Sequence, residues 1–408
     1  MNTKRIILIF LVTIFFMYAY AHGADRAVLV HNTLSDIEAV KGKLKLKLVR
    51  IWGGENEEDE NKFFETPMDV LVDKNGLVYI CDTHKHCIKV FTQSGEYVRT
   101  IGQRGRGPGD LLLPSKIAVS PSGDLVVCEL DGNRMQWFSP EGKSKRINQD
   151  LKTISWLGIT TGNETAVYHK EDTFKTRKLV AIQDGNGKVL RHIGTYHDRA
   201  PDYMSAEGLV FTMDSGDNIY AANRLTPVIR KYSPSGRMIL AVTYETPLKI
   251  SPVEITLNTG GDEIDIKRAD EYYEPVKVIK KGRSIRTVGG RTSRVLICPA
   301  IGTDANQNIV VLTRRRLMTE KEMIAARVGF GSNFVHRKFV NYHILDQIKD
   351  LNQLLVFNSE GKVIAQTLLP HFCDSFYSSG SRIFIVDGLY HQQILEYEMT
   401  IEEVKKKR

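Results

Sequence analysis

From residue 75 the chain reads NGLVYICDTHKHCIKVFTQSGEYVRTIG, and from residue 122 it reads SGDLVVCELDGNRMQWFSPEGKSKRI. Each stretch is an apolar strand, a polar loop, a second apolar strand ending in Phe, a Gly turn and a third strand, and Phe91 and Phe138 lie 47 residues apart. The turn glycine recurs at Gly95, Gly142, Gly187, Gly236 and Gly361, the first three intervals being 47, 45 and 49 residues. A unit of this length, with alternating apolar positions and Gly, Asn, Asp, Ser or Pro turns, suits a four-stranded antiparallel sheet. Such sheets hide both faces by packing around an axis, so the expected class is all-β, a propeller of four-stranded antiparallel blades.

The last interval, from Gly236 to Gly361, is 125 residues, about 78 more than one period of the repeat. Two insertions account for the excess: residues 250–297 after the fourth unit, and residues 317–350 between the second and third strands of the fifth. The final unit ends before its fourth strand, and the missing strand stands at the other end of the chain. Val49-Arg50-Ile51-Trp52-Gly53 matches Val98 to Gly102 and Leu190 to Gly194. An N-terminal strand that completes the last blade closes the ring and leaves no free end to unravel. The count is six blades, with seven as the alternative if Pro252 to Ile266 and Val276 to Gly289 form a degenerate blade. The propeller is then expected over residues 44–400, after a linker at 22–43 and before a basic tail at 401–408.

Residues 1–21, MNTKRIILIFLVTIFFMYAYA, place Lys4 and Arg5 before an apolar run that ends in Ala19-Tyr20-Ala21, the pattern of a secretory signal peptide cleaved before His22. The 16 residues from Ile6 to Ala21 fall short of the ~20 that span a bilayer, so an uncleaved anchor is the second reading and no stable membrane insertion is expected after cleavage. Export to the periplasm or beyond the cell follows. Hydrophobic residues at 42% and charged residues at 25% exclude a disordered chain. The formal charge of +8 is modest, and its clusters, Arg314 to Arg316 and Lys405 to Arg408, lack the aromatic interleaving of a nucleic-acid platform, so no nucleic-acid partner is expected. Five cysteines are too few for a disulfide scaffold. Cys81 and Cys87 flank a five-residue loop, and both a disulfide and two buried thiols are open for them.

Asp82-Thr83, His86, Ile88 to Phe91, the loop GQRGRGPGDLLLP from Gly102 to Pro114 and Ser120 to Leu125 resemble bacterial NHL-repeat proteins, in particular exported six-bladed propellers. The resemblance covers nearly all the chain after residue 44, strongest in the first two blades. It implies the fold firmly and the activity weakly, since related propellers include binding modules, amidating lyases and gluconolactonase-type enzymes.

Both insertions leave the blades on the same rim, which makes that rim the expected contact surface for a protein or an extracellular ligand. The first carries Tyr272 and Tyr273 among acidic residues, and the second opens with a capping-box pattern, Thr319 to Glu322, that predicts a helix. Arg314, Arg315 and Arg316 lie at its base. Aligning the first strands places Lys116, Val210, Ala300 and Asp374 at the position of Asp69, which gives an incomplete acidic ring at the channel mouth. Asp69, Lys116 and Asp374 therefore join the candidate binding residues. The resemblance to gluconolactonase-type and amidating enzymes raises calcium or zinc as a cofactor. The zinc candidates are His84, His86 and His197, with His169, His343 and His391 on the same rim, and none has a tight ligand spacing. Gly105 to Gly109 lacks the ending of a phosphate loop, and no GxSxG elbow is present. The expected function is a binding scaffold without a cofactor; the alternative is a metal-dependent lyase or lactone hydrolase.

Overall fold

The computed structural model describes residues 27–54, 56–131, 133–149, 154–169, 178–195, 209–224, 227–247, 298–316, 321–322, 347–371, 373, 375–388 and 391–402, with the backbone of 253–257, 264–268, 277–281 and 284–288. In chain order, β1 (Val28–Asn32) and a short helix α1 (Leu34–Ala39) precede β2 (Leu44–Gly53). Blade one is β3 (Pro67–Val72), β4 (Val78–Asp82), β5 (Cys87–Phe91) and β6 (Tyr97–Ile101). Blade two is β7 (Pro114–Val119), β8 (Leu125–Glu129), β9 (Met135–Phe138) and β10 (Ser144–Asn148). Blade three is β11 (Ile154–Ile159), β12 (Thr165–His169), β13 (Lys178–Gln183) and β14 (Val189–Thr195). Blade four is β15 (Leu209–Met213), β16 (Ile219–Asn223), β17 (Val228–Tyr232) and β18 (Met238–Tyr244). Two hairpins follow, β19 (Val253–Leu257) with β20 (Ile264–Arg268) and β21 (Lys277–Lys281) with β22 (Ser284–Val288). Blade five is β23 (Ala300–Thr303), β24 (Ile309–Arg314), β25 (Asn352–Phe357) and β26 (Val363–Leu369). Blade six is β27 (Ser375–Ser379), β28 (Arg382–Asp387) and β29 (Gln393–Ile401), completed by β2, which pairs antiparallel with β29. The ring has six blades, because the two hairpins form separate two-stranded sheets.

The repeating turn has a local cause. Thr92, Ser139, Asp184, Ser233 and Asn358 each accept, through the side chain, the amide of the residue four positions on. Their carbonyls bind the amides of Gly95, Gly142, Gly187, Gly236 and Gly361 at 2.8–3.0 Å. Each of these glycines has φ between +81° and +94°, a backbone region that glycine enters without penalty, and the adjoining register shift marks a bulged hairpin. In blades one, two and five, burial follows position in the blade. Second and third strands such as β4, β5, β8 and β25 are buried at every position because neighbouring blades cover both faces, while the outer strand β6 alternates. Hydrophobic clusters fill all six blade interfaces.

Residues 28–39, expected as part of a linker, are ordered elements. β1 adds a parallel fifth strand to β18, and α1, opened by a Thr33–Asp36 capping box, places Ile37 in the core between blades four and five. Between them the buried Asn32 side chain donates to the carbonyls of Thr243 and Gly361 and accepts from the Val363 amide. The segment ties together the two blades that the 248–297 segment separates in sequence.

Candidate binding site in the central channel

The innermost strands β3, β7, β11, β15, β23 and β27 are sheet edges that surround the axis. Strand register aligns Asp69 with Lys116, Trp156, Val210, Ala300 and Ser375, each judged by its partner on the second strand. The sixth position therefore belongs to Ser375. Asp374, expected there, lies outside the described residues.

The charged layer links three blades. Lys116 Nζ stands 3.6 Å from Asp69 Oδ1, with the two side chains 15% and 18% exposed. Asp69 Oδ2 accepts the Ile117 amide at 3.0 Å, and the ammonium lies 4.3 Å from the centroid of the Trp156 ring, a cation–π contact. Burial pushes the Asp69 carboxyl above its ordinary value, against the pull of Lys116 and the Ile117 amide. From this layer a cavity of about 450 Å³ runs along the inner strands, between walls that include Leu157, Phe211, Met213 and Phe376, to the hairpins that join first and second strands. Asp73, Lys74, Thr161, Asp214 and Asp217 stand at that end. Burial would raise the Asp214 carboxyl, but hydrogen bonds from Asn218, Tyr220 and the Gly216 amide outweigh it and hold the group below its usual value. This end of the channel is the face opposite the one from which both insertions leave the blades.

The expected arginine patch is largely structural. Arg314 is buried and hydrogen-bonds Asn352. Arg316 is clasped by both oxygens of Glu322 and both of Asp350 at 2.6–2.9 Å, which fastens the two described ends of the second insertion. Arg315 is half-exposed, its backbone amide bound to Leu351 O. Tyr272, Tyr273, His197 and His343 lie outside the described residues.

The described histidines are dispersed. His84 Nδ1 pairs with Thr66 Oγ1 at 2.7 Å, His169 with Gln183 and His391 with Asp387 at 2.6 Å. Among the described residues no three His, Cys, Asp or Glu side chains gather as a metal site requires. His86 Nδ1 accepts the Leu113 amide at 3.0 Å, so the ring is neutral in this bond. Burial, with Arg104 and His84 adding to it, lowers its pKa below the ordinary 6.5. A depressed folded-state pKa gives stability that is complete above the unfolded value and lost as pH falls through the folded one. His86→Asn, which suits the positive φ of this residue (55°), is expected to flatten the stability-versus-pH curve on the acid side of 6.5. Equal slopes for variant and parent in urea midpoints there would refute the assignment.

Cys81 and Cys87, for which a disulfide was open, are free and buried. Cys81 pairs in register with Ile88 and both face blade two, so Cys87, the neighbour of Ile88, points to the opposite face of the sheet. The polar groups of the glycine-rich loop are taken up within the protein. Arg134 donates to Arg106 O, Gly105 O and Asp110 O, and the Gly107 amide is taken by Asp110 Oδ2. Trp156 escaped the sequence reading; three-in-register alignment of Asp69, Lys116 and Trp156 from the second strands backwards was the signal that would have found it.

A family model described as a six-bladed β-propeller, DUF5128, matches residues 60–244, which hold blades one to four. The protein brain tumor of Drosophila melanogaster is 29% identical over 133 residues, 32% of this chain and 12% of that protein, so the chain spans only a small part of that relative's length. A Bacteroides fragilis protein described as exported superposes with a TM-score of 0.56 at 10% identity, over 92% of this chain and all of the other. A Bacteroides vulgatus member of the DUF4221 family superposes with a TM-score of 0.53 at 13% identity, over 88% and 99%. Sequence register, sheet order and these likenesses agree on one architecture: the chain is a six-bladed β-propeller.

Proposed function

We propose that this chain is an exported, NHL-type propeller that works as a binding scaffold, holding a protein segment or an extracellular ligand at the central channel. The observation that carries this reading is the cavity of about 450 Å³, within the ~300–1,000 Å³ range of ligand sites, whose described carboxylates are engaged in joining blades or closing turns. Asp69 holds blade two, Asp214 caps its own turn and Asp217 accepts from Thr161. Export rests on the N-terminal segment, since the basic start, apolar run and Ala-x-Ala ending of residues 1–21 have the form of a signal peptide. Among the described residues no helix is long and apolar enough to cross a membrane.

The competing reading is a metal-dependent lyase or lactone hydrolase, in which the ion would polarise a carbonyl or activate water. Metal analysis separates the two. Residues 22–408, purified without chelator and without a His tag, are expected to carry well under one-tenth of a zinc or calcium ion per chain. A near-stoichiometric ion, together with lyase or lactonase turnover that chelation abolishes, would overturn the scaffold reading.

A further inference from the structure

We infer that the channel cavity receives the C-terminal end of a short extended peptide, carboxylate toward Lys116 and chain running out to the hairpin face; this rests on the binding reading above and names its ligand class. The walls favour a peptide because they are the edges of six sheets. An edge strand presents N–H and C=O groups that have no ladder partner, and an extended peptide offers the complementary alternation of acceptors and donors. One such amide, Ile117 N–H, is already taken by Asp69. An alkyl chain in the same place would strip water from the others and return nothing, at a cost for every group left unpaired.

Direction follows from charge. At the inner end the Lys116 ammonium carries three donors; its ion pair with Asp69 at 3.6 Å, whose second oxygen is held by the Ile117 amide, engages one of them and leaves the others to a ligand. Its contact with Trp156 occupies one face of that ring. At the open end Asp73 and Asp217 outnumber Lys74, whose ammonium is bound to Pro121 O, while Asp214, 4% exposed, is balanced by Lys231 at 3.6 Å. A ligand that is negative at its inner end and positive at its outer end matches both, which is a peptide entering C-terminus first. Asp69 and Asp73 are four residues apart on and just beyond β3, about 13 Å at ~3.3 Å per residue, room for roughly four extended residues. Leu157, Met213 and Phe376 supply apolar wall between the two ends.

Tryptophan fluorescence reads this site selectively, because Trp52 and Trp137 are 4% and 7% exposed while Trp156 is half-exposed and lines the cavity. The mature chain would be titrated with a pool of tetrapeptides varied at every position, with the same pool as C-terminal amides, and with octanoate. The acids are expected to give saturable quenching at least tenfold tighter than the amides or octanoate, and Lys116→Met is expected to bring the acids down to the level of the amides. Equal binding of acids and amides overturns the inference, as does octanoate matching the peptides or Lys116→Met binding like the parent. The comparison of acids with amides needs no variant, so it decides the matter even where Lys116→Met fails to fold. A mixed set of neutral and cationic fragments distinguishes the two failures: fragments that quench Trp156 where peptides do not leave channel binding intact and remove only the peptide.

Discussion

Replacing Arg134 by Met is expected to lower stability by about 3–5 kcal/mol, the range for leaving one partner of a buried ion pair uncompensated. Arg134 Nε meets Glu129 Oε1 at 2.7 Å, with the two side chains 5% and 0% exposed. The rest of the guanidinium donates to three carbonyls of the connection between blades one and two. Glu129 in turn accepts the Leu112 amide at 2.7 Å and the Gln136 side chain at 2.9 Å. One cation thus fastens Gly105, Arg106 and Asp110 of the glycine-rich connection, whose own backbone would otherwise gain little from holding a single shape.

The same variant should free that connection to solvent. Arg104 and Arg106 lie within it, so trypsin should cleave the variant there under conditions that leave the parent whole. The double variant Arg134→Met, Glu129→Leu should recover part of the loss, because it removes the stranded charge as well, though the Leu112 amide stays unpaired. A fall of less than about 1 kcal/mol for Arg134→Met, with no new tryptic site, would show that packing and the hydrogen bonds of Asp110 and Gln136 hold the connection without the cation.

Much of the architecture was legible because each blade repeats a local device. Thr92, Ser139, Asp184, Ser233 and Asn358 with their glycines three residues on are read directly from the chain, and they fix where the third and fourth strands meet. The closing strand was legible for the same reason, as an outer strand without its blade. The channel layer was less so, because register there depends on bulges. The pairing shifts by a residue at Pro67/Asp69, Pro114/Lys116 and Ile154/Trp156 in the first three blades, whereas the described pairing of β27 with β28 begins at the aligned residue itself. Counting from strand starts therefore selects Asp374 in blade six, and the structure selects Ser375. Arg314 misled differently: a basic triplet reads as surface, but its first member ends a second strand that neighbouring blades bury throughout. The 28–39 segment carries no repeat signal at all, and its place is set by long-range contacts of Asn32 and Ile37 that no local pattern announces.

Trp52→Ala is expected to cost about 3–5 kcal/mol, the usual range for emptying a large aromatic site, and to do so by unlatching the ring. Trp52 lies on β2, the strand from the far end of the chain, and is 4% exposed. Its ring packs in the interface between blades six and one, 5.4 Å edge-on from Phe91, in a cluster with Phe64, Val70, Phe384 and Ile394. Its Nε1 donates to Glu396 Oε2 at 3.1 Å, and Glu396 is itself buried, with Arg382 as its other partner at 3.3 Å. The alanine variant therefore loses aromatic burial at the one interface where the ring is closed by non-consecutive chain, and takes from the buried Glu396 Oε2 the indole donor, leaving Arg382 as the partner of the carboxylate. Trp52→Phe separates the two contributions: it keeps most of the packing and should lose only about 1–3 kcal/mol for the unpaired acceptor. Because closure by β2 joins the two ends of the propeller, the effect should fall mainly on unfolding rate, with the alanine variant unfolding faster in urea and releasing residues 44–53 to proteases before the remaining blades. If Trp52→Ala instead unfolds at the parent's rate, or if the last blade is cut no sooner than the others, the latch is not β2, and cohesion at the six blade interfaces alone keeps the ring shut.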